Sequence, residues 1–295
     1  MWDAIGNQIQ NVTRIPFRVG DSSAPGVRRS VSGGSINDAF QISDGQQRYF
    51  VKLNQASKVG MFEAEALGLQ ALAASRSIRV PQVICWGIAD NSSYIVLEWL
   101  DLGRGGASGW TDLGRQLAHL HRAATSAPSQ CFGWDQSNTI GSTPQPNPWA
   151  QDWAKFFAES RIGYQLQLAQ RRGASFGQSA QLLSAIPDLL GHSPIPSLVH
   201  GDLWSGNAGF SAEGEPVIFD PAVYWGDREV DIAMTELFGG FPSSFYAGYQ
   251  AVWPLESGYE QRKVLYNLYH ILNHFNLFGG GYRAQAEQMM AQILR

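Results

Sequence analysis

The sequence has little of what marks several large classes of protein. It has only two cysteines, Cys85 and Cys131, which form no CxxC pair and suggest no disulfide framework. No stretch reaches the roughly 18 apolar residues of a membrane-spanning helix. Residues 1–10 lack the basic start and apolar run of a signal peptide. These absences favour a cytoplasmic protein without a membrane partner.

Charge of one sign is also scarce. The 21 basic and 25 acidic residues give a net charge of −4, and no block of like charge stands out. Nucleic acids attract basic patches, so we expect no nucleic-acid partner. The 295 residues, 44% hydrophobic and 16% charged, suffice for one large domain or for two lobes that each have a core.

Several common catalytic motifs are missing. The sequence has no GxxxxGK[ST] phosphate loop, no HExxH and no GxSxG. His119 and His121 lie two residues apart on a predicted helix, so they do not share a face, and packing is favoured over a metal site. The glycine-rich stretch 103–109 lacks a βαβ context, which indicates a connector rather than a dinucleotide-binding loop.

The pattern of apolar residues predicts an α+β protein. The first hundred residues predict a helix at 61–75 and antiparallel strands at 27–31, 37–43, 48–53, 82–87 and 94–99. The rest predicts short strands at 197–200 and 216–220, a proline-marked loop around 144–148, and helices at 111–125, 149–171, 177–190, 227–238 and 261–278. We therefore expect a bilobal fold, with a small antiparallel-sheet lobe over 1–100, a hinge near 97–103 and a mainly helical lobe over 104–295.

The strongest chemical signal is the stretch HGDLWSGN at residues 200–207. An apolar strand runs into a turn that holds Asp202, Asn207 follows five residues later, and the next strand ends at Asp220. This spacing matches the catalytic loop and the magnesium aspartate of kinases. Asp202 is then the base that accepts the hydroxyl proton, and Asn207 and Asp220 are oxygen ligands for Mg²⁺. Asp, Gly and Asn also form ordinary turns, but the paired spacing and flanking strands argue against that alternative.

A phosphate-binding lysine is expected in the first lobe. Lys52 shares a strand face with Phe50, and Glu65 follows it in the first predicted helix. A Lys–Glu pair of this kind holds the α- and β-phosphates of ATP. Glu63 competes with Glu65 for this role because the two lie on different faces of the helix.

Two further segments are expected to contact ATP. Gly33, Gly34 and Ser35 lie between two strands, where their backbone N–H groups could cover the phosphates. A glycine pair there is also an ordinary hairpin turn. The next segment leads into the hinge, where the carbonyl of Glu98 and the N–H of Leu100 are expected to face adenine.

The motif at 200–207 resembles the catalytic motif of fructosamine kinases, also called ketosamine-3-kinases, which are related to aminoglycoside phosphotransferases. The similarity continues through IFDPAVYWGDRE at 218–229, FGGFPSSF at 238–245 and LNHFNLFG at 272–279. It implies a protein-kinase-like fold. It also implies transfer of the γ-phosphate of Mg·ATP to the O3 hydroxyl of a ketosamine, a sugar–amine adduct that is either small or protein-bound. Because such a 3-phosphate is unstable, its release would deglycate the amine.

The resemblance also implies roles for single residues. His200 is expected to support the catalytic turn, and Asp231 to brace its backbone from a helix. Trp204, Trp225 and Asn273 are expected to border the substrate. The preferred sugar stays open among ribulosamine, erythrulosamine and fructosamine adducts, and we expect a monomer or a weak dimer.

Three alternatives stay open at this stage. One is another small-molecule kinase of the aminoglycoside phosphotransferase or choline kinase type, whose cationic substrates favour acidic clusters. The C-terminal helices instead offer side chains that suit a neutral polyol: Tyr266, Tyr269, His270, Asn273, His274 and Asn276. A protein kinase is disfavoured because residues 221–226 leave no room for an activation loop. A non-catalytic ATP-binding pseudokinase is disfavoured because all the expected kinase side chains are present.

Overall fold

The computed structural model describes residues 1–19, 28–31, 36–123 and 130–295. The first region is an antiparallel five-stranded sheet in the order β1-β2-β3-β5-β4, flanked by two helices. Its elements are α1 (Trp2–Thr13), β1 (Arg28–Ser30), β2 (Asp38–Ser43), β3 (Arg48–Gln55), α2 (Val59–Ala74), β4 (Val83–Ala89) and β5 (Ser92–Glu98).

The second region is mainly helical, with three small groups of strands. Its strands are β6 (Leu102–Gly103), β7 (Asn138–Ile140), β8 (Thr143–Gln145), β9 (Ser197–Val199), β10 (Ala208–Ser211), β11 (Pro216–Ile218) and β12 (Tyr224–Gly226). Its helices are α3 (Ala107–Ala123), α4 (Trp153–Phe157), α5 (Tyr164–Arg171), α6 (Ser179–Leu189), α7 (Glu229–Leu237), α8 (Ser243–Val252), α9 (Tyr259–Phe278) and α10 (Tyr282–Ile293). The expected α+β class, with an antiparallel sheet first and helices after it, is confirmed.

Strand β3 separates two environments because its side chains alternate. Val51 and Leu53 point into a core that also contains Ile5 and Ile9 of α1. Lys52 lies between them in sequence, so its side chain leaves the opposite face of the sheet, towards α2. The pleat of this one strand therefore delivers a buried lysine to the cleft between the two regions.

Several predicted boundaries were wrong. The helix expected from residue 149 begins at Trp153, after the N-cap Asp152, and contains a π-helical turn at Ala158–Gly163. Helix α3 begins at Ala107, so part of the expected glycine connector is helical. Pro144 lies in β8 rather than in a loop, which a short two-stranded ribbon tolerates because both strands are edges.

Three helices were not predicted from the sequence: α1, α8 and α10. Helices α8 and α10 are rich in polar and small residues, so their apolar period is weak, whereas α1 has a clear apolar face that the sequence analysis missed. Tertiary packing compensates, since Ile5 and Ile9 of α1, Phe245 of α8, and Met290 of α10 are all buried. Among the described residues, no helix has both the length and the apolar character needed to cross a membrane.

Helices α3 and α8 pack closely because glycines lie at their contact. A Cβ on Gly114 would lie 2.0 Å from the Phe245 carbonyl oxygen and 2.8 Å from the Tyr249 nitrogen. A Cβ on Gly248 would lie 2.1 Å from the Thr111 carbonyl oxygen. Both neighbours are backbone atoms, which cannot rotate away, so any larger residue forces the two helices apart.

We expect Gly114→Ala to lower the free energy of unfolding by about 2 kcal/mol or more, because the added methyl overlaps helix backbone. Gly60→Ala is the matched control. Gly60 is also helical, and a Cβ there would meet no atom within 4 Å. That change should be neutral or raise the stability by roughly 0.5 kcal/mol. Thermal denaturation of both variants measures the difference, and equal melting temperatures would contradict the close-packing account.

Candidate active site

The catalytic turn follows strand β9 and is fixed by a buried carboxylate. Asp231 of α7 accepts hydrogen bonds from the backbone N–H of His200 at 2.7 Å and of Gly201 at 2.8 Å. Gly201 has a φ of 81°, and a Cβ there would lie 2.2 Å from the Ala222 carbonyl oxygen. Glycine is therefore required at this position, both for its backbone angle and for space.

Asp231 is itself held by a buried histidine. The Nε2 atom of His121 lies 3.1 Å from Asp231 Oδ2, and its Nδ1 atom lies 2.8 Å from the hydroxyl of Tyr249. Burial alone would raise the pKa of Asp231, but the bonds from His121 and Gly201 outweigh it and lower the pKa. The helix aspartate thus stays charged under the turn. His121 has the packing role expected for it.

The Asp202 side chain lies at the tip of this turn. Asn207 donates through Nδ2 to the Asp202 backbone oxygen at 2.8 Å and to its carboxylate at 3.3 Å. Burial, with a smaller contribution from the nearby Asp220 charge, raises the pKa of Asp202 to about 7. A carboxylate with this pKa can both accept and release a proton near neutral pH.

Two contacts of Phe219 hold the strand pair β10–β11 against the turn. The N–H of Phe219 donates to the Asn207 carbonyl at 3.0 Å, and the His200 ring Nε2 lies 3.0 Å from the Phe219 carbonyl. The next residue, Asp220, adopts a positive φ of 58°, which is uncommon outside glycine. The strand end thereby turns Asp220 towards Asp202 and Lys52.

Lys52 connects the two regions of the protein. Its Nζ atom lies 2.7 Å from Glu65 Oε1 in α2 and 2.5 Å from Asp220 Oδ1. Burial opposes the lysine charge, but the carboxylates of Asp220 and Glu65 outweigh it and raise the Lys52 pKa. The alternative partner Glu63 is exposed on α2. Of the two glutamates, the structure thus pairs Glu65 with the lysine.

A cavity of about 420 Å³ lies between the regions, a size typical of small-molecule sites. Its charged lining residues, within the described part of the chain, are the four site residues Lys52, Glu65, Asp202 and Asp220. Asn207 also lines it. On the other side, five rings form what we call the aromatic wall: Trp204, Phe238, His274, Phe278 and Tyr282.

Two residues expected to border the substrate are placed differently from Trp204. Trp225 is only 9% exposed, packs in the core and does not line the cavity. Asn273 lines the cavity, but it is 2% exposed and already bonded: its Oδ1 accepts from Gln165 and its Nδ2 donates to Ile140. The side chain of Asn273 therefore stabilises the helix packing around the cavity.

The expectation that α9 presents a row of polar side chains to the substrate was wrong for most of them. Tyr266, Tyr269, His270 and Asn276 are at most 4% exposed. Helix α9 runs through the centre of its region, so neighbours cover nearly all of its faces. Asn273 and His274 are the exceptions, since both line the cavity.

The nucleotide segments are placed as follows. Gly33, Gly34 and Ser35 lie outside the described residues. Glu98 ends β5, where its N–H donates to the Gln82 carbonyl at 2.8 Å and its side chain accepts from Arg79 at 2.8 Å. Leu100 follows directly, between the sheet and β6.

Sequence reasoning missed the aromatic wall apart from Trp204 and His274. Phe238 lies at the C-cap of α7, Phe278 is the last residue of α9 and Tyr282 is the first of α10. Residues at helix ends belong to no clear periodic face, so the apolar pattern did not assign them. The available signal was the glycines after Phe238 and Phe278, which mark helix ends where side chains can line a cleft.

The raised pKa of Asp202 predicts a stability effect with a definite sign. In the unfolded chain Asp202 ionises near its ordinary pKa, whereas in the folded protein it ionises only near pH 7. The free energy of unfolding therefore falls as the pH rises between these two values, and the full loss is reached above pH 7. We expect Asp202→Asn to raise the melting temperature more at pH 8 than at pH 5. The control Asp135→Asn alters an exposed carboxyl and should show no such difference. A pH-independent effect of Asp202→Asn would contradict the burial account.

The chain is similar along its whole length to known sugar–amine kinases. The family described as fructosamine kinase matches residues 1–295. A Synechocystis protein named probable ketoamine kinase is 58% identical over 100% of this chain and 97% of its own length. An Arabidopsis thaliana protein named protein-ribulosamine 3-kinase, chloroplastic, is 44% identical over 90% of this chain and 82% of its own.

Solved structures agree with this assignment. A Haemophilus somnus protein, named as a candidate fructosamine-3-kinase, superposes with a TM-score of 0.92 at 35% identity, covering 100% of this chain and 98% of the other. A thermostable mutant of the aminoglycoside phosphotransferase APH(4)-Ia shares the fold, with a TM-score of 0.62 at 17% identity over 98% of both chains. Because the family match and the relatives extend over nearly the whole chain, this protein belongs to the fructosamine kinase family.

Proposed function

We propose that the protein is an ATP-dependent kinase that phosphorylates the O3 hydroxyl of ketosamines and so leads to deglycation of the amine. The observation that carries this proposal is the cavity itself. Asp202, Asn207, Asp220 and Lys52 lie close together in its lining, at what we call the phosphate end, and the uncharged rings of the aromatic wall line it as well. The names of the ketoamine and ribulosamine kinase relatives support the acceptor class, with ribulosamine, erythrulosamine and fructosamine adducts as candidates.

The site residues fit Mg²⁺. Asn207 uses Nδ2 for both of its side-chain hydrogen bonds, which leaves Oδ1 as an acceptor. Asp220 contributes a carboxylate whose side chain is 45% exposed to the cavity. These are hard oxygen donors, as Mg²⁺ prefers. Bound there by Asn207 and Asp220, the ion would neutralise phosphate charge and orient the transferred group.

The nucleotide is proposed to bind on the sheet side of the cavity. Lys52, held by Glu65, supplies a positive charge for the phosphates, because its raised pKa keeps it protonated. The backbone of residues 33–35 would cover the phosphates, and Glu98 and Leu100 would face adenine from the proposed hinge at 97–103. These nucleotide contacts stay predictions.

Asp202 is proposed to act as the general base. The substrate O3 atom bonds to the γ-phosphorus while the bond from that phosphorus to the β–γ bridging oxygen breaks, and the O3 proton passes to Asp202. The pKa of about 7 makes the carboxylate a competent acceptor near neutral pH. Asp231 and His121 hold the turn, so Asp202 need not reorganise during the reaction.

The acceptor side of the cavity favours a ketosamine over an aminoglycoside. All acidic lining residues of the described chain lie at the phosphate end, where they serve the lysine, the metal or the base. An aminoglycoside carries several positive charges and would require further carboxylates around it. Trp204 is 37% exposed and follows Asp202 by two residues, so its ring is proposed to border the sugar. Compartment and oligomeric state stay predictions, namely cytoplasm and a monomer or weak dimer.

We expect Mg·ATP turnover with ribulosyl-lysine, erythrulosyl-lysine or fructosyl-lysine, and none with kanamycin or choline, measured as ADP release. Asp202→Asn should reduce the ketosamine rate by about 10²-fold or more, because it removes the positioned base. The control Asp135→Asn, at an exposed carboxyl, should retain full activity. Turnover of kanamycin or choline alone would overturn the proposed substrate class, and equal rates in both variants would exclude Asp202 as the base.

The pH dependence should follow the same carboxylate. Asp202 acts as a base only when deprotonated, so kcat/KM should rise as the pH increases through about 7 and fall about tenfold per unit well below it. Bound Mg²⁺ beside Asp220 offsets part of the negative charge that raises this pKa. We therefore expect kcat, measured with saturating Mg·ATP, to level off at a lower pH than kcat/KM for Mg·ATP, which reports the enzyme without bound metal. A flat profile from pH 5 to 8 would contradict the role of the base.

A further inference from the structure

The aromatic wall is a continuous surface. The rings of Trp204 and Phe238 are 6.2 Å apart, those of Phe238 and His274 are 4.8 Å apart, and those of His274 and Tyr282 are 5.1 Å apart. Phe278 closes the outer end, 5.6 Å from the His274 ring and 6.5 Å from the Tyr282 ring. The wall is therefore longer than one sugar ring needs.

The two ends of the wall differ in their surroundings. Trp204 lies at the inner end, two residues after the proposed base Asp202. Phe278 lies at the outer end, at the corner between α9 and α10, and is 54% exposed. The wall thus leads from the reacting group to solvent, and a large exposed apolar side chain at a cavity mouth marks a binding surface.

Towards Phe278, which we take as the outer half, the cavity is lined mainly by apolar side chains. Leu277, Phe278 and Tyr282 line it, together with Ile140 from the β7–β8 hairpin. The amides of Asn37, Asn138 and Asn273 also line the cavity, but each is already hydrogen-bonded within the protein, and Thr139 adds a hydroxyl. The charged lining residues of the described chain all belong to the phosphate end. A polyol in this half would leave most of its hydroxyls without partners, whereas methylene groups would be well solvated by rings.

His274 adds one directed polar group in the middle of the wall. Its Nδ1 lies 2.8 Å from the His270 carbonyl, which can only accept, so Nδ1 carries the proton. Burial lowers the His274 pKa, which keeps the ring neutral at pH 7. Nε2 is therefore an acceptor. An acceptor among aromatic faces suits the N–H of a protonated secondary amine, since rings also attract cations.

We propose that the aromatic wall binds the amine side of the ketosamine: His274 accepts a hydrogen bond from the substituted amine, and Phe278 and Tyr282 contact an extended methylene chain attached to it. The ligand class is an N-alkyl ketosamine whose chain has the length and apolar character of a lysine arm. This inference rests on the proposed function and adds the part of the substrate that selects among acceptors. It places the sugar at Trp204 and the amine-bearing residue at the mouth.

The test compares two probes that differ only in this chain, N-methyl-ribulosamine and N-hexyl-ribulosamine. Each buried methylene is worth about fourfold in affinity. With chain burial only partial, we expect kcat/KM for the hexyl compound to exceed that for the methyl compound about tenfold or more. Phe278→Ala should reduce this ratio to about threefold or less. His274→Phe keeps a ring but removes the acceptor, so it should raise KM for both probes.

The matched control is Ile195→Ala. Ile195 is 53% exposed and Phe278 is 54% exposed, but Ile195 does not line the cavity. The Ile195→Ala variant should therefore keep the wild-type ratio. Equal kcat/KM for the two probes in the wild type, or an unchanged ratio in Phe278→Ala, would overturn the inference and leave the proposed function intact. Failure of the wild type to turn over either probe would overturn the proposed function and this inference together.

Discussion

The site depends on one buried cation, Lys52, which holds two carboxylates from different parts of the chain. Glu65 belongs to the helix that packs on the sheet, and Asp220 ends a strand of the second region. Without the lysine charge, Glu65 and Asp220 would be unpaired anions around one cleft, with Asp202 nearby, and their repulsion would open it. Under the proposed function, the same charge would meet phosphate oxygens, so the interaction that joins the two regions would also prepare the cleft for a nucleotide.

Two aspartates in the same region show how environment divides chemical roles. Asp231 is buried, but a histidine ring and two backbone N–H groups hold it in the charged form. Asp202 is half-buried in the lining of the cavity, and a single long bond from Asn207 compensates its carboxylate only weakly, so desolvation raises its pKa to about 7. One carboxylate therefore supports the structure and the other is poised for proton transfer. Gly201 makes the turn that separates them possible, because a Cβ there would lie 2.2 Å from the Ala222 carbonyl oxygen.

Much of this could be predicted from the sequence, for identifiable reasons. The period of two in β3 assigned Lys52 to the cleft, and the apolar runs beside Asp202 and Asp220 predicted the strands that are β9 and β11. Strand β10, which begins after Asn207 and pairs with β11, was not predicted. The packing of Trp225 away from the cavity could not be read from the sequence, and neither could the internal hydrogen bonds of Asn273, which does line the cavity, because tertiary contacts decide both side-chain orientations. The aromatic wall depends on how the ends of α7, α9 and α10 meet, which is a long-range property that no local pattern records.

The account's central claim is transfer of phosphate from ATP to O3 of a ketosamine in this cavity. The most direct measurement is ³¹P and ¹H NMR of the product formed from Mg·ATP and ribulosyl-lysine. We predict a phosphate coupled to the proton on C3, ADP in equal amount, and slow release of free lysine as the 3-phosphate decomposes. A phosphate on another hydroxyl, or inorganic phosphate released while the ketosamine stays unconsumed, would contradict the account.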